Sequence, residues 1–391
     1  MRTFIHNTYA VFRRELSRII DKKIYLVMMF GLPLVSFVFF SFIFKNSIDS
    51  LPIAVLDQDN TPLSRQLTSM IDETASALVA YEIQDMEEGM QLMREGKIYA
   101  ILQIPAFFEK DVNGNTQTHI EFYNSGCNIT VNGLLEKDVQ TVVKTFSTGI
   151  QLKLLGAKGL TARQAMAQAM PISFERHILF NPYINYSYYL APSFLAMMLL
   201  IFSVLTTVYA IGTELKFSTA KEWLDTGGGS ILAALTGKML PITISMFAMT
   251  LVMHWIVFDI LGAPMNGSSA MLIISGLVFI LSYQAIGIFA ITVFDNLRLA
   301  LSFGGGYSVL AFTFSGLTFP TMAMYMGIQI FSYVFPFTFY MRIYVDIAMR
   351  GAPIAYALPD LGYMMLFQVL AIAVIPRLRR LCLDKKYWGK L

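Results

Sequence analysis

The chain has 391 residues, 55% of them hydrophobic and 14% charged, with a formal net charge of +3. Soluble domains carry about 25% charged residues, so a water-soluble fold for the whole chain is excluded, and so small a net charge gives no footing for a nucleic-acid partner. Two cysteines, Cys127 and Cys382, fall on opposite sides of the membrane in the topology below and accompany no Cys/His cluster, which leaves neither a disulfide nor a zinc site.

Residues 1–23 carry Arg2, Arg13, Arg14, Arg18, Lys22 and Lys23. Apolar residues recur at Ile5, Tyr9, Phe12, Leu16 and Ile19, a spacing that gathers them on one helical face with arginines on the other. This predicts an amphipathic helix lying in the membrane interface. Residues 24–44 follow as the first span, too long for the apolar region of a cleavable signal. Pro33 is expected to kink it, and the basic residues before it place its start in the cytoplasm.

Residues 45–185 change character: eleven basic residues stand against sixteen acidic ones, and no stretch is apolar enough to span. Strand and helix patterns alternate, predicting an inserted α/β domain outside the cytoplasm. Strands are expected at Leu51–Leu56, Ala77–Ile83, Ile98–Ile104 and Thr118–Tyr123. Helices are expected at Leu63–Glu73, Asp85–Glu95, Val131–Leu155 and Thr161–Met170, with a short one opened by Pro105. Asp49, Asp57 and Asp59 read better as a turn after a strand than as a metal site.

Residues 186–381 hold five further spans: Tyr186–Ile211, Ile231–Phe258, Met271–Phe294, Leu299–Phe319 and Leu358–Ile375. A basic tail, residues 382–391, closes the chain, so the predicted fold is an α-helical polytopic membrane protein with six transmembrane helices and both termini cytoplasmic. Residues 320–353 form an external re-entrant hairpin, because a full span there would sink Arg342, Asp346 and Arg350 in lipid. These three, at i, i+4 and i+8, are expected to form an ion-pair ladder that holds the hairpin, with a place in the substrate path as the less favoured role. The triple glycine 304–306 fits close helix packing better than a hinge.

The segment 212–230, GTELKFSTAKEWLDTGGGS, is a polar island between two spans. It holds Glu214, Lys216 and Glu222 with Phe217, Trp223 and Leu224, and a glycine stop. It is predicted to be a short helix that docks on a partner, the three apolar side chains filling a groove and the three charged ones making rim contacts.

This arrangement resembles the ABC-2 type transporter permeases, in particular the bacterial drug and small-molecule exporters with a large external domain after the first span. The resemblance rests on Leu51-Pro-Ile-Ala-Val-Leu-Asp57 with Thr61-Pro-Leu-Ser-Arg65, on Gly96-Lys-Ile-Tyr-Ala100 with Ile104-Pro-Ala-Phe-Phe108, and on Asn181-Pro182 before Tyr188-Tyr-Leu-Ala-Pro192. Ser315-Gly-Leu-Thr-Phe-Pro320 and Phe335-Pro-Phe-Thr338 extend it, and Ser218-Thr219-Ala-Lys-Glu222 occupies the family's charged loop segment. There Ser218 stands for the usual Gly, and Gly227 for a common Pro.

The resemblance implies a type V, ABC-2 exporter-like fold and a permease moving amphiphilic drugs, lipids or metabolites by alternating access. It implies no enzyme and no cofactor on this chain, with ATP and Mg on a separate ABC ATPase subunit. Consistently, no GxxxxGK[ST] phosphate loop is present; Gly237-Lys238 lacks the rest of it. The implied partners are that ATPase, a second permease (a homodimer or a sister chain), the lipid of a bacterial inner membrane and, in a two-membrane cell, a periplasmic adaptor. A non-transporting receptor or secretion scaffold is the competing reading.

Overall fold

The computed structural model describes residues 2–45, 49–114, 116–170, 179–181, 185–316 and 319–389. The chain divides into two compact units, Met1–Lys45 with Ile178–Leu391, and Asn46–His177.

The first unit is helical. After an N-terminal helix (Arg2–Asp21), five helices among the described residues are long and apolar enough to cross a membrane: Lys23–Phe44, Ser187–Lys216, Ile231–Ile260, Ser269–Phe294 and Ile354–Leu383. A sixth apolar helix, Leu297–Thr313, is shorter. Ser187–Lys216 and Ser269–Phe294 are largely buried and form the middle of the bundle, whereas Lys23–Phe44 and Ile354–Leu383 leave most of their apolar surface outside. In the first of these outer helices the backbone widens into a π-turn at Val27–Gly31, next to Pro33. Proline lacks an N–H and crowds the carbonyl four residues back, and a wider turn there relieves both.

Asp295 ends one helix in a left-handed conformation, and the Asn296 side chain accepts from the N–H groups of Arg298 and Leu299 to start the next. Of the triple glycine, only Gly304 is a packing site: a Cβ there would lie 2.8 Å from Val204 Cγ1, while Gly305 and Gly306 face open space.

The segment 319–353 holds a short helix, Met326–Ser332, and a second, Pro336–Ile343, that continues as a π-helix over Tyr344–Met349. The second helix is buried among the others and is pinned by tyrosines. Phe337 N–H donates to Tyr283 Oη (3.1 Å), Tyr307 Oη donates to the Val334 carbonyl (2.6 Å), and Tyr344 Oη to that of Tyr188 (3.0 Å). The expected three-residue ion ladder is corrected. Arg350 pairs with Asp346 at 2.7 Å, but Arg342 lies 3.7 Å from Asp360 instead.

The second unit is a doubly wound sheet of four strands, β1 (Leu51–Asp57), β2 (Ala77–Glu82), β3 (Ala100–Ile104) and β4 (Glu121–Asn124), in the order β2-β1-β3-β4. β1 pairs in parallel with β2 and β3, and β3 pairs antiparallel with β4. Alternation along β1 divides the core. Leu51, Ile53 and Val55 pack with helices Pro62–Asp72 and Ile129–Ala157, and Ala54 and Leu56 pack with Met86–Arg94. Gly89 lets that last helix lie against the sheet, since a Cβ would meet Ile83 Cδ1 at 2.6 Å. The long helix begins at Ile129, earlier than its apolar pattern, because the Asn128 side chain accepts from the N–H groups of Thr130 and Val131.

The aspartates after β1 make a turn. Asp57 Oδ1 accepts from the N–H groups of Asp59 and Asn60, and its Oδ2 from Ser64 Oγ. Asp59 Oδ2 accepts from Thr61 Oγ1 (2.6 Å) and from the N–H of Glu109 (2.9 Å), joining this turn to the short helix Phe108–Asn113. Partial burial works to raise the Asp59 pKa, but the hydrogen bonds from Thr61 and from the backbone of Glu109, Phe107 and Phe108 outweigh it and hold it low. A depressed carboxyl pKa stabilises the fold above the unfolded value and stops doing so as pH falls through the folded one. Hydrogen exchange around residues 57–64 and 107–113, corrected for intrinsic rate, should therefore rise below about pH 4. Asp59→Asn should show that faster exchange already at neutral pH; unchanged exchange in this variant would refute the account.

Candidate functional site

The loop between the second and third long spans is built around a buried carboxylate. The helix Tyr186–Lys216 carries Glu214 in its last turn, and Glu214 is fully buried. Its Oε1 accepts from Arg14 Nη1 (2.7 Å), Lys238 Nζ (2.8 Å) and Arg18, and its Oε2 from Arg14 Nη2 (3.3 Å) and Thr219. Glu15, also buried, accepts from Lys238 Nζ (2.5 Å) and from Arg14 (3.0 Å). Three cations and two carboxylates thus meet where three segments join: the N-terminal helix, the end of Tyr186–Lys216, and the start of Ile231–Trp255. Buried charges persist only when paired and hydrogen-bonded, and each of these finds a partner of opposite sign.

The backbone allows the meeting. Lys238 follows Gly237, where a Cβ would come within 2.5 Å of the Thr8 carbonyl and 2.7 Å of Val11 Cβ. Only glycine lets the N-terminal helix lie this close, and that contact brings Glu15 to Lys238.

A short helix, Ala220–Thr226, follows Ser218, which holds φ at 60°. That is the left-handed region, so the serine occupies a position a glycine would fill at lower cost. Trp223 is fully buried; its Nε1 donates to the Ala234 carbonyl (3.1 Å), and the Lys238 ammonium stands 4.9 Å from its ring centroid. Leu224 is buried beside it. These placements correct the expected docking surface. Trp223 and Leu224 fill this chain's own core, and Glu214 is an internal ligand rather than a rim contact. With only seven residues, the short helix turns its apolar side onto the bundle and keeps its charged side out.

Phe217 is the large apolar side chain left outside, 57% exposed, with the ammonium groups of Lys22 and Lys216 at 5.2 and 5.9 Å from its ring. Partial burial, and then the charge of Arg18, push the Lys22 pKa down. Glu222 is exposed and reaches Arg14 Nε at 3.5 Å.

The N-terminal helix keeps part of its apolar face open and departs from expectation in its arginines. Ile5, Tyr9 and Leu16 are exposed, Phe12 is half-buried and Ile19 is buried. Arg14 and Arg18 turn inward rather than to water, because the Glu214 carboxylate is inside. Reading by residue type missed Glu15 and Lys238 as members of this cluster. The signal was a single lysine early in an apolar run, preceded by glycine.

These helices and their braced loop define a multi-pass membrane protein with a helical bundle. Residues 23–375 match the family model described as ABC-2 family transporter protein, and the chain belongs to that family. It is a permease component of an ABC transporter, and the family implies an ABC ATPase as its partner and the membrane as its setting. No curated protein matches the chain. The match begins at residue 23, so Arg14, Glu15 and Arg18 precede it.

Proposed function

We propose that the chain is the membrane-spanning half of an exporter for amphiphilic small molecules, working in the inner membrane of a bacterium. In this reading it has six spans with both termini cytoplasmic, counting Leu297–Thr313 as the fifth, and pairs with a second permease. ATP and Mg are held by the partner ATPase, and the α/β unit hands substrate to a periplasmic adaptor. The observation that carries the reading is the buried ionic cluster. It ties the loop 212–230, the N-terminal helix and the third span into one body. A push on the exposed side of the loop helix is then passed to spans as rigid-body motion, which alternates access to a central path.

The contact surface is the exposed set of Phe217, Lys221, Glu222 and Asp225, with Lys216 half-buried at its edge. Phe217 is the apolar anchor in a charged rim. Phe217→Ala should lower affinity for the ATPase by about 2 kcal/mol, roughly thirtyfold, with no change in the permease's thermal stability. Permease-stimulated ATP hydrolysis, titrated with the ATPase, measures this. Stimulation at wild-type concentrations would remove the docking role.

A further inference from the structure

A cavity of about 750 Å³ opens between the segment 333–342 and the last long helix, lined by Tyr333, Phe339, Arg342, Tyr363, Leu366 and Leu370 among others. Its walls are apolar and aromatic except for one cation. The Arg342 guanidinium stands 5.0 Å from the Tyr333 ring centroid and 5.8 Å from that of Phe339. Its ion partner, Asp360 Oδ1, is 3.7 Å away, beyond hydrogen-bond length. Among the described residues the Arg342 guanidinium donates no hydrogen bond, although it has five N–H donors in a fork that fits a carboxylate or phosphate. Ring faces stabilise its charge, but they leave the donor edge open, and the side chain is 32% exposed.

We propose that this cavity binds an amphiphile with one anionic head group, the head on the Arg342 donors and the apolar body along Tyr363, Leu366 and Leu370. A neutral ligand would leave the guanidinium edge unpaired. A cationic one would meet a like charge, and the Tyr333 and Phe339 faces that could hold it already face Arg342. Asp360 competes with the ligand's head for the same cation. The inference rests on the membrane reading of these helices and not on ATPase docking, so the two fail separately.

The test uses the full chain, purified in a neutral maltoside without the ATPase, and three diazirine probes: a long-chain fatty acid, its methyl ester, and phosphatidylglycerol. Crosslinked peptides are read by mass spectrometry. The acid should label peptides containing Tyr333–Arg342 and Tyr363–Leu370, and the ester about tenfold less. Arg342→Gln should cut acid labelling by about the same factor and Arg342→Lys should restore part of it. Asp360→Asn should raise it, a gain that misfolding cannot imitate and that keeps the test valid if Arg342→Gln fails to fold. Labelling by phosphatidylglycerol identifies the source as a bilayer lipid, and labelling by the acid alone as a single-chain amphiphile. Equal labelling by acid and ester, or no response to both substitutions, overturns the proposal.

Discussion

Glu214→Gln is expected to be among the most damaging single changes in the chain, costing about 3–5 kcal/mol. The wild-type cluster sets Arg14, Arg18 and Lys238 against Glu15 and Glu214, a surplus of one positive charge. Removing the Glu214 charge leaves three cations to share one buried carboxylate, and a neutral amide offers them a single weaker acceptor. Lys238→Met acts the other way: it leaves two arginines with two carboxylates and should cost less. Thermal unfolding of the purified permease orders the two variants. Adding Lys238→Met to Glu214→Gln should recover part of the loss, since it restores the original surplus. A double variant as unstable as the sum of the singles would show that these groups do not act as one unit.

Trp223→Ala should cost about 3–5 kcal/mol as well, for a different reason. The indole is fully buried, and its removal opens a cavity, takes away its hydrogen bond to the Ala234 carbonyl and strips the Lys238 ammonium of its ring. ATPase stimulation should fall because the loop helix loses its seat. The contrast with Phe217→Ala separates seat from contact: Trp223→Ala lowers stability and stimulation together, whereas Phe217→Ala lowers stimulation alone. Retained thermal stability in Trp223→Ala would contradict the burial described above.

Where the apolar runs fall was legible from the sequence, because length and composition decide which helices can cross a bilayer. The alternation in the inserted unit was legible too, since β1 shows its two faces as Leu51, Ile53 and Val55 against Ala54 and Leu56. The site was less so. Phe217, Trp223 and Leu224 look alike as residue types, and only tertiary packing decides that one faces out and two face in. Arg14 and Arg18 read as a solvated face because nothing in their own helix shows that Glu214, some 200 positions on, waits inside. Arg342 was assigned to Asp346 by helical spacing, which sees only its own helix and not Asp360, brought beside it from another one. The serine at 218 was visible as a departure from the family's glycine, but its meaning required the backbone angle.

Gly237 has one more effect. Pro241 sits four residues further along the same helix and cannot donate to the Gly237 carbonyl. The spine of this helix is therefore softest one turn beyond Gly237, the residue on which the N-terminal helix bears with no clearance. From Pro241 to Ile260 the helix runs on for roughly 29 Å at 1.5 Å per residue. A bend of about 5° at that joint displaces the far end by about 2.5 Å. A nudge at the near end is thus geared up along the helix into a larger displacement of its far end.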